Sequence, residues 1–291
     1  MKALLVGLGK AAWLNDLGKP GKRTTHTSSL LDLNDFFIAG GVDSKFEPSR
    51  EWSRAFDKPV FMNLEEAISR INPDLIVIAV PMDQLANCLT LVLRVSNALI
   101  VIEKPVVVNI LEWNQLHANL LPSSRVLVNL PRLFAAETMI LLEILRRHTD
   151  TKMIISGTYS GMTLNTSLHF ISLFNHFFAN LNWQKVNKDN YSNYIFQNES
   201  KSIAGSFVHN PKVDSSSFDF KIQNENLEIE YISGGEKISC KEFGVPIKIE
   251  STRSVYQKNV YEHLMNDGED ASIKIAGLKV IKKSILDMLG E

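Results

Sequence analysis

The chain has 291 residues, more than one ordinary hydrophobic core holds and about right for two. It is 45% hydrophobic and 22% charged, with 31 basic against 32 acidic side chains and a net charge of −1. That balance removes the electrostatic case for nucleic acid or an anionic membrane as a partner.

Met1 to Gly7 is a short apolar run that ends in a glycine loop, too short for the core of a signal peptide. Nowhere do 18 apolar residues run together, so no membrane span is expected. Two cysteines, Cys88 and Cys240, lie far apart and without metal-ligand spacing. They read as free thiols in a reducing cytoplasm, and no metal site is expected.

Taken in chain order, short apolar runs alternate with helical patterns over the first ~130 residues, the signature of a parallel α/β sheet. Ala3 to Val6 is the first strand and Phe36 to Val42 the second. Pro48 to Phe56 suits a helix and Val60-Phe61 a short strand. Asn63 with Glu66 three places on opens a helix to Arg70. Leu75 to Val80 and Ala98 to Ile102 are β-branched runs expected of strands buried on both faces. Between them Asp83 to Val95 is helical. Asn109 to Leu120 is a further helix and Arg125 to Asn129 a sixth strand. Phe134 to His148 is then an amphipathic helix, Lys152 to Thr158 a strand, and Ser167 to Ala179 an apolar helix. From Asn182 to Ile249 the pattern is strands and turns, with Asn224-Glu-Asn226 and Gly234-Gly235 as hairpin turns. Val255 to Leu289 is helical, broken near Asn266-Asp-Gly268, and can pack back across the domain break. The expected architecture is an α/β Rossmann domain, residues 1–125, followed by an α+β substrate and oligomerisation domain, residues 126–291.

The loop Gly7-Leu8-Gly9-Lys10-Ala11-Ala12 follows the first strand directly and fits the dinucleotide fingerprint, with Ala12 in the third glycine position. Its first glycine allows the tight turn, its second lets the backbone approach a pyrophosphate, and the small Ala12 lets helix and strand pack closely. Trp13 to Thr25, with Gly18, Pro20 and Gly21, interrupts the helix that ordinarily starts here, so an insertion is expected and the helix resumes near Thr27. A strand-to-loop glycine turn with no ligand is the plainer alternative. Asp43 ends the second strand, where an acidic side chain accepts hydrogen bonds from a ribose and favours NAD over NADP. Lys45 and Arg50 lie close enough in sequence to hold a 2′-phosphate instead, and Asp43 can also be a turn residue capping the next helix. Ser44, Pro81 at the end of the fourth strand, and Glu103 and Lys104 at the end of the fifth complete the expected cofactor contacts.

Glu103-Lys104-Pro105 ends the fifth strand, where charged residues point into the ligand crevice. A partly desolvated lysine there has a lowered pKa and can exchange a proton with a substrate hydroxyl. Pro105 would fix the chain as it leaves the strand, with a cis bond as one way to do so.

Gly7-x-Gly9, Gly41-Val42-Asp43, Asn63-Leu-Glu-Glu-Ala67, Pro73 through Pro81 and Glu103-Lys104-Pro105 together resemble the glucose–fructose oxidoreductase / inositol dehydrogenase / rhizopine catabolism (Gfo/Idh/MocA) family. Order and spacing agree over about the first 132 residues. The resemblance implies a Rossmann domain followed by a large, open, mostly antiparallel sheet. It implies NAD(P) chemistry on a sugar, cyclitol or nucleotide-linked sugar, Lys104 as the catalytic lysine, and a homo-oligomer, dimer or tetramer. Val128-Asn129-x-x-Arg132 resembles the family's sixth-strand Asn and Arg, with Arg132 toward substrate, and Gly268 to Lys279 its closing loop and helix. Asn165-Thr-Ser-Leu-His169 followed by Ser172 resembles the family's Asp-x-x-x-His segment, with Asn and Ser where carboxylates often stand. The Asn-rich version is similar to members from polysaccharide biosynthesis gene sets. His169 is the expected second acid–base group and Asn165 can only orient substrate. A satisfied helix histidine, as expected for His176, is the alternative for His169. No histidine follows Pro81, where the family often has one. Tyr159 is taken to face the pocket. The alternative function is a ligand-binding or regulatory protein that kept the fold and lost turnover. A structural partner in a sugar-assembly complex is a third.

Overall fold

The computed structural model describes residues 1–105, 125–161, 163–178, 180–188, 191–212 and 217–266, with the backbone alone at 163–165, 188 and 191. The helix expected over Asn109 to Leu120 and the segment from Gly268 onward lie outside the described residues. The described chain divides into two compact units: residues 1–131 with 254–266, and residues 132–253.

The first unit is built on strands β1 (Lys2–Val6), β2 (Phe37–Val42), β3 (Val60–Phe61), β4 (Leu75–Ile78), β5 (Leu99–Ile102) and β6 (Val126–Val128). They form one sheet in the order β3-β2-β1-β4-β5-β6, every pair parallel. The order reverses between β1 and β4, and the crevice outside the carboxyl ends of strands at such a point is where ligands bind. All four residues of β4 are buried, as its unbroken Leu-Ile-Val-Ile run requires. Helices α1 (His26–Leu31), α2 (Phe46–Phe56), α3 (Leu64–Ile71) and α4 (Met82–Val95) connect the strands. Asn63 caps α3 by accepting from the Glu66 N–H at 2.9 Å, the capping contact its sequence predicts. β6 pairs with β5, so the first unit runs past the expected 125/126 division and the chain leaves it after Pro131. The reason is physical: Val126–Val128 is fully buried in the parallel sheet and has its ladder partners there.

The second unit opens with helix α5 (Ala136–Arg146) and strand β7 (Met153–Ser160), followed by helix α6 (Thr163–Phe177). Strands β8 (Leu181–Lys188), β9 (Tyr191–Asn198), β10 (Ile203–His209), β11 (Ser217–Gln223), β12 (Leu227–Ile232), β13 (Lys237–Glu242) and β14 (Val245–Ile247) follow. With β7 they make an eight-stranded sheet in the order β14-β13-β12-β11-β7-β10-β9-β8. β7 and β10 run parallel and the other pairs antiparallel. The hairpin turns at Asn224 to Asn226 and Gly234-Gly235 stand where their sequence puts them, between β11 and β12 and between β12 and β13. α6 begins about a turn before the Ser167 expected from sequence.

Burial alternates along the sheet strands, so one face forms a core and the other stays open. The core is aromatic. Phe170 of α6 is fully buried and stacks on Phe207 of β10 with centroids 4.1 Å apart, and Tyr159, Tyr194 and Phe218 surround it. Phe170→Ala is expected to cost about 3–5 kcal/mol, the usual loss for emptying a buried aromatic site. A fall in the urea midpoint checks it, and an unchanged midpoint would show that the site collapses around the void.

The chain then returns to the first unit and its described part ends in α7 (Tyr256–Asn266), which packs on α1 and buries Gln257, Val260, Tyr261 and Leu264.

Candidate functional site

The glycine loop leaves β1 through Gly7, whose φ is +87°. A Cβ there would stand 2.6 Å from the Ala79 carbonyl oxygen, just past β4. Only glycine admits both the turn and this approach. Gly7 N–H donates to Val42 O at 2.8 Å, and Leu8 N–H donates to the Asp43 carboxylate Oδ2 at 2.8 Å. Asp43 Oδ1 accepts the Lys45 N–H at 2.9 Å. Asp43 is therefore both a turn residue and the tether of the loop to the end of β2, and each carboxylate oxygen keeps a lone pair beyond these bonds. Leu8 differs from its expected role. Its side chain is buried, its N–H is taken by Asp43, and its carbonyl accepts the Trp13 indole N–H at 2.9 Å. It holds the loop in place, and its N–H is not available to a ligand.

A single turn follows the loop, with Trp13 N–H donating to Gly9 O, and then a short 3₁₀ piece, Leu14–Asp16. The insertion is tied by Asp16. Its carboxylate accepts the N–H groups of Thr24 and Thr25 at 2.9 and 2.8 Å and the Thr25 hydroxyl at 2.9 Å. Burial works to raise the Asp16 pKa, and the Ser28, Thr24 and Thr25 donors outweigh it and hold the carboxyl below its ordinary range. His26 and Thr27 N–H then donate back to Ala11 O and Ala12 O, so α1 is stitched to the glycine loop across the insertion.

The loop fits a dinucleotide diphosphate. The backbone N–H groups of Gly9, Lys10 and Ala11 find no acceptor among the described residues, and a Cβ on Gly9 would meet nothing within 4 Å. Such a concave set of free donors is an anion cradle. Ser44, Lys45 and Arg50 are exposed past the end of β2. Pro81 is exposed at the N-cap of α4, past the end of β4.

At the carboxyl end of β5 the structure brings together residues far apart in sequence. Glu103 Oε1 lies 3.0 Å from His26 Nε2 and accepts the Asn129 side-chain N–H at 2.6 Å. His26 Nδ1 lies 2.6 Å from the Tyr261 hydroxyl. Asn129 and Gln257 exchange amide bonds of 2.8 and 3.2 Å. His26, Asn129 and Gln257 are almost wholly buried. Burial works to raise the Glu103 pKa. His26, Lys104 and Asn129 more than offset it, and the carboxyl sits below its ordinary value. Burial pushes the Tyr261 phenol well above its ordinary value, and the negative Glu103 adds to the push. Lys104 follows, half-buried, and its peptide bond to Pro105 is cis. The Lys104 charge is one of the influences that hold the Glu103 carboxyl down. His26, Gln257 and Tyr261 carried no signal in sequence: one sits in an insertion and two on a helix read as packing.

The second unit holds the other expected site residues. His169 is half-buried on α6. The Asn165 side chain lies outside the described residues. Ser172 is fully buried, a position where a carboxylate would sit without water. Arg132 places its guanidinium over the Phe218 ring, 4.7 Å from the centroid. Tyr159 is largely buried and also lines the cavity described below. It is 1% exposed and its hydroxyl donates to the Ser192 carbonyl. Its inward register on β7 puts the ring in the aromatic core against Phe170 and His209. A cavity of about 370 Å³ is lined by Thr158, Ser160, Asn210, Ser217, Asp219 and Arg253, among others.

Residues 1–129 match the family model of the Gfo/Idh/MocA oxidoreductases, described as an oxidoreductase family with an NAD-binding Rossmann fold. The match covers the N-terminal Rossmann unit, 129 of the 291 residues. The family description, with dehydrogenase and ketoreductase structures sharing the fold, supports an NAD(P)-dependent oxidoreductase. No curated protein matches the chain. Solved structures extend the fold to both units. An oxidoreductase from Thermotoga maritima is 15% identical with a TM-score of 0.78, over 100% of this chain and 96% of that one. A UDP-N-acetylglucosamine 3-dehydrogenase from Acidithiobacillus ferrooxidans is 12% identical, TM-score 0.73, over 98% and 95%. A 3-ketoreductase from Actinomadura kijaniata, in complex with NADP and TDP-benzene, is 9% identical, TM-score 0.72, over 99% and 94%. At such identities the likeness shows the fold. Among the described residues no helix is long and apolar enough to cross a membrane.

Proposed function

We propose that the protein transfers hydride between a nicotinamide cofactor, NAD in preference to NADP, and a ring hydroxyl or ketone of a nucleotide-linked sugar, in the making of a surface polysaccharide. The observation that carries this reading is the end of β5, where a partly buried and hydrogen-bonded Glu103 precedes Lys104 at the carboxyl edge of the parallel sheet. The cofactor supplies the hydride acceptor or donor. Lys104 takes the proton from the substrate hydroxyl in oxidation and returns it to the alkoxide oxygen in reduction. The neighbouring 3-dehydrogenase and 3-ketoreductase carry nucleotide-linked names, which favours a nucleotide-linked sugar over a free cyclitol. The hydroxyl- and carboxylate-lined cavity of the second unit suits a polyhydroxyl ligand. His169 would serve as a second proton-exchanging or hydrogen-bonding group for that sugar, and Arg132 and Asn165 as contacts to it. Asp43 favours NAD, since a carboxylate accepts from a ribose 2′-hydroxyl and repels a 2′-phosphate.

The surface and the thiols bear on assembly and setting. The open face of the eight-stranded sheet exposes Ile154, Ile195 and Val208, which suits a homo-oligomer formed through that face. Cys88 and Cys240 are free, and burial pushes both thiols up and keeps them unreactive, in keeping with a cytoplasmic setting.

The test is a titration of NAD(H) and NADP(H) into wild type and Gly9→Asp by nicotinamide fluorescence. Wild type is expected to bind in the micromolar range, NAD(H) more tightly. Gly9→Asp places a carboxylate in the open cradle and is expected to lose binding while keeping its melting temperature. A folded wild type that binds neither dinucleotide would overturn the reading in favour of a different ligand.

A further inference from the structure

We propose that His26 is a positioning residue for Lys104: with Tyr261 and the Asn129–Gln257 amide pair, it holds Glu103 as an oriented carboxylate that keeps the neighbouring Lys104 ammonium in place as proton donor. The proposal rests on Lys104 being the proton-exchanging group of the proposed hydride transfer.

Counting protons fixes the direction of the bonds to Glu103. Glu103 is charged, so both groups bonded to its Oε1 must be donors. His26 therefore carries a proton on Nε2. Tyr261 stays a neutral phenol, and a hydroxyl can serve Nδ1 as donor or acceptor. The Tyr261 hydroxyl lies 2.6 Å from Nδ1. Tyr261 thus holds the ring from behind, with Nε2–H directed at the carboxylate. Asn129 is fixed as firmly. Its two amide protons go to Glu103 Oε1 and Gln257 Oε1, and its own oxygen accepts from Gln257. Neither amide can flip without losing a bond to the carboxylate or to its partner.

These bonds come from four separate elements. His26 is the first residue of α1, Glu103 directly follows β5, Asn129 directly follows β6, and Gln257 and Tyr261 stand on α7. The ionisable groups facing His26 are Glu103 and Tyr261, and those acting on Glu103 are His26 and Lys104. The other ion pair of α7 with the α1 region, Lys258 with Asp32, lies at the far end of α1. A carboxylate that merely paired with Lys104 would require none of this. Two strong donors on one oxygen of a nearly buried carboxylate fix its direction, and a fixed charge next to a flexible lysine biases where its ammonium sits.

The experiment follows the pH dependence of Lys104 labelling by acetic anhydride, read by peptide mass spectrometry on the full-length protein with no substrate. Glu103→Gln is expected to lower the labelling midpoint by about one pH unit, a tenfold change in the amine-to-ammonium ratio at fixed pH. His26→Leu is expected to move the midpoint in the same direction, because it removes the donor that holds the carboxylate. His26→Gln, whose amide still donates to Glu103, should restore most of the wild-type midpoint. Tyr261→Phe should fall between. A midpoint that stays at the wild-type value in His26→Leu while Glu103→Gln shifts would overturn the proposal and leave His26 structural. A midpoint unmoved in Glu103→Gln would overturn it as well. If His26→Leu does not fold, His26→Gln and Tyr261→Phe decide: both at the Glu103→Gln value, or both at wild type, refute a positioning role for His26. Dinucleotide binding is read separately, so failure of this proposal and failure of the nicotinamide reading are told apart.

Discussion

Gly7→Ala is expected to destabilise the first unit by about 2–4 kcal/mol, lower its melting temperature by roughly 5–10 °C, and abolish dinucleotide binding together. Two costs add. The φ of +87° strains any residue with a Cβ. The new methyl would also stand 2.6 Å from Ala79 O, 2.8 Å from Ala79 C and 2.9 Å from Val80 N. These are backbone atoms at the end of β4 and cannot swing aside as a side chain can. Either the loop or the end of β4 must shift, and the Leu8–Asp43 tether shifts with the loop. Gly9→Asp is the control, because its Cβ has open space and it removes binding alone. Calorimetry with a fluorescence titration on both variants separates the effects. A Gly7→Ala protein with wild-type stability and wild-type affinity would show that the loop is not drawn tightly against β4.

Lys104→Ala is expected to reduce kcat by about 10²–10⁴ while cofactor affinity stays near wild type. General acid–base assistance at one oxygen is of that size, and the lysine's part in the ground state is small by comparison. The screen should run UDP- and TDP-linked sugars in both directions. Lys104→Arg is not expected to rescue, since a guanidinium does not give up its proton near neutral pH. Turnover by Lys104→Ala equal to wild type would move the proton transfer to another group, with His169→Ala the next variant to read.

Much of the first unit was legible in the sequence because its signals are local. Continuous β-branched runs mark strands buried on both faces, and Leu75 to Ile78 could be little else. Asn63 and Glu66 announce a helix start through a bond that spans three residues. The glycine loop and the insertion after it were legible for the same reason. The network on Glu103 was not, because its members stand 26, 77 and 128 positions apart, and although Glu103 and Asn129 sit in motifs, His26, Gln257 and Tyr261 have no signal of their own. The burial of Tyr159 was hidden for a related reason. A tyrosine near a strand end reads as a polar handle, and only the register of β7 shows that its ring faces the core. Ser172 shows the converse: a position that looks like a lost carboxylate is a fully buried helix residue.

The return of α7 to the first unit also sets an order of events during synthesis. Asn129 leaves the ribosome 128 positions ahead of Gln257. At about 5–20 residues per second, that is roughly 6–26 s. Through that interval the nascent Rossmann sheet has its strands and its glycine loop, but Glu103 lacks the groups that complete its cage. The cofactor domain is made first and finished last, and a ribosome-bound chain cut short before Gln257 carries a half-built proton-donor site however well its sheet has formed.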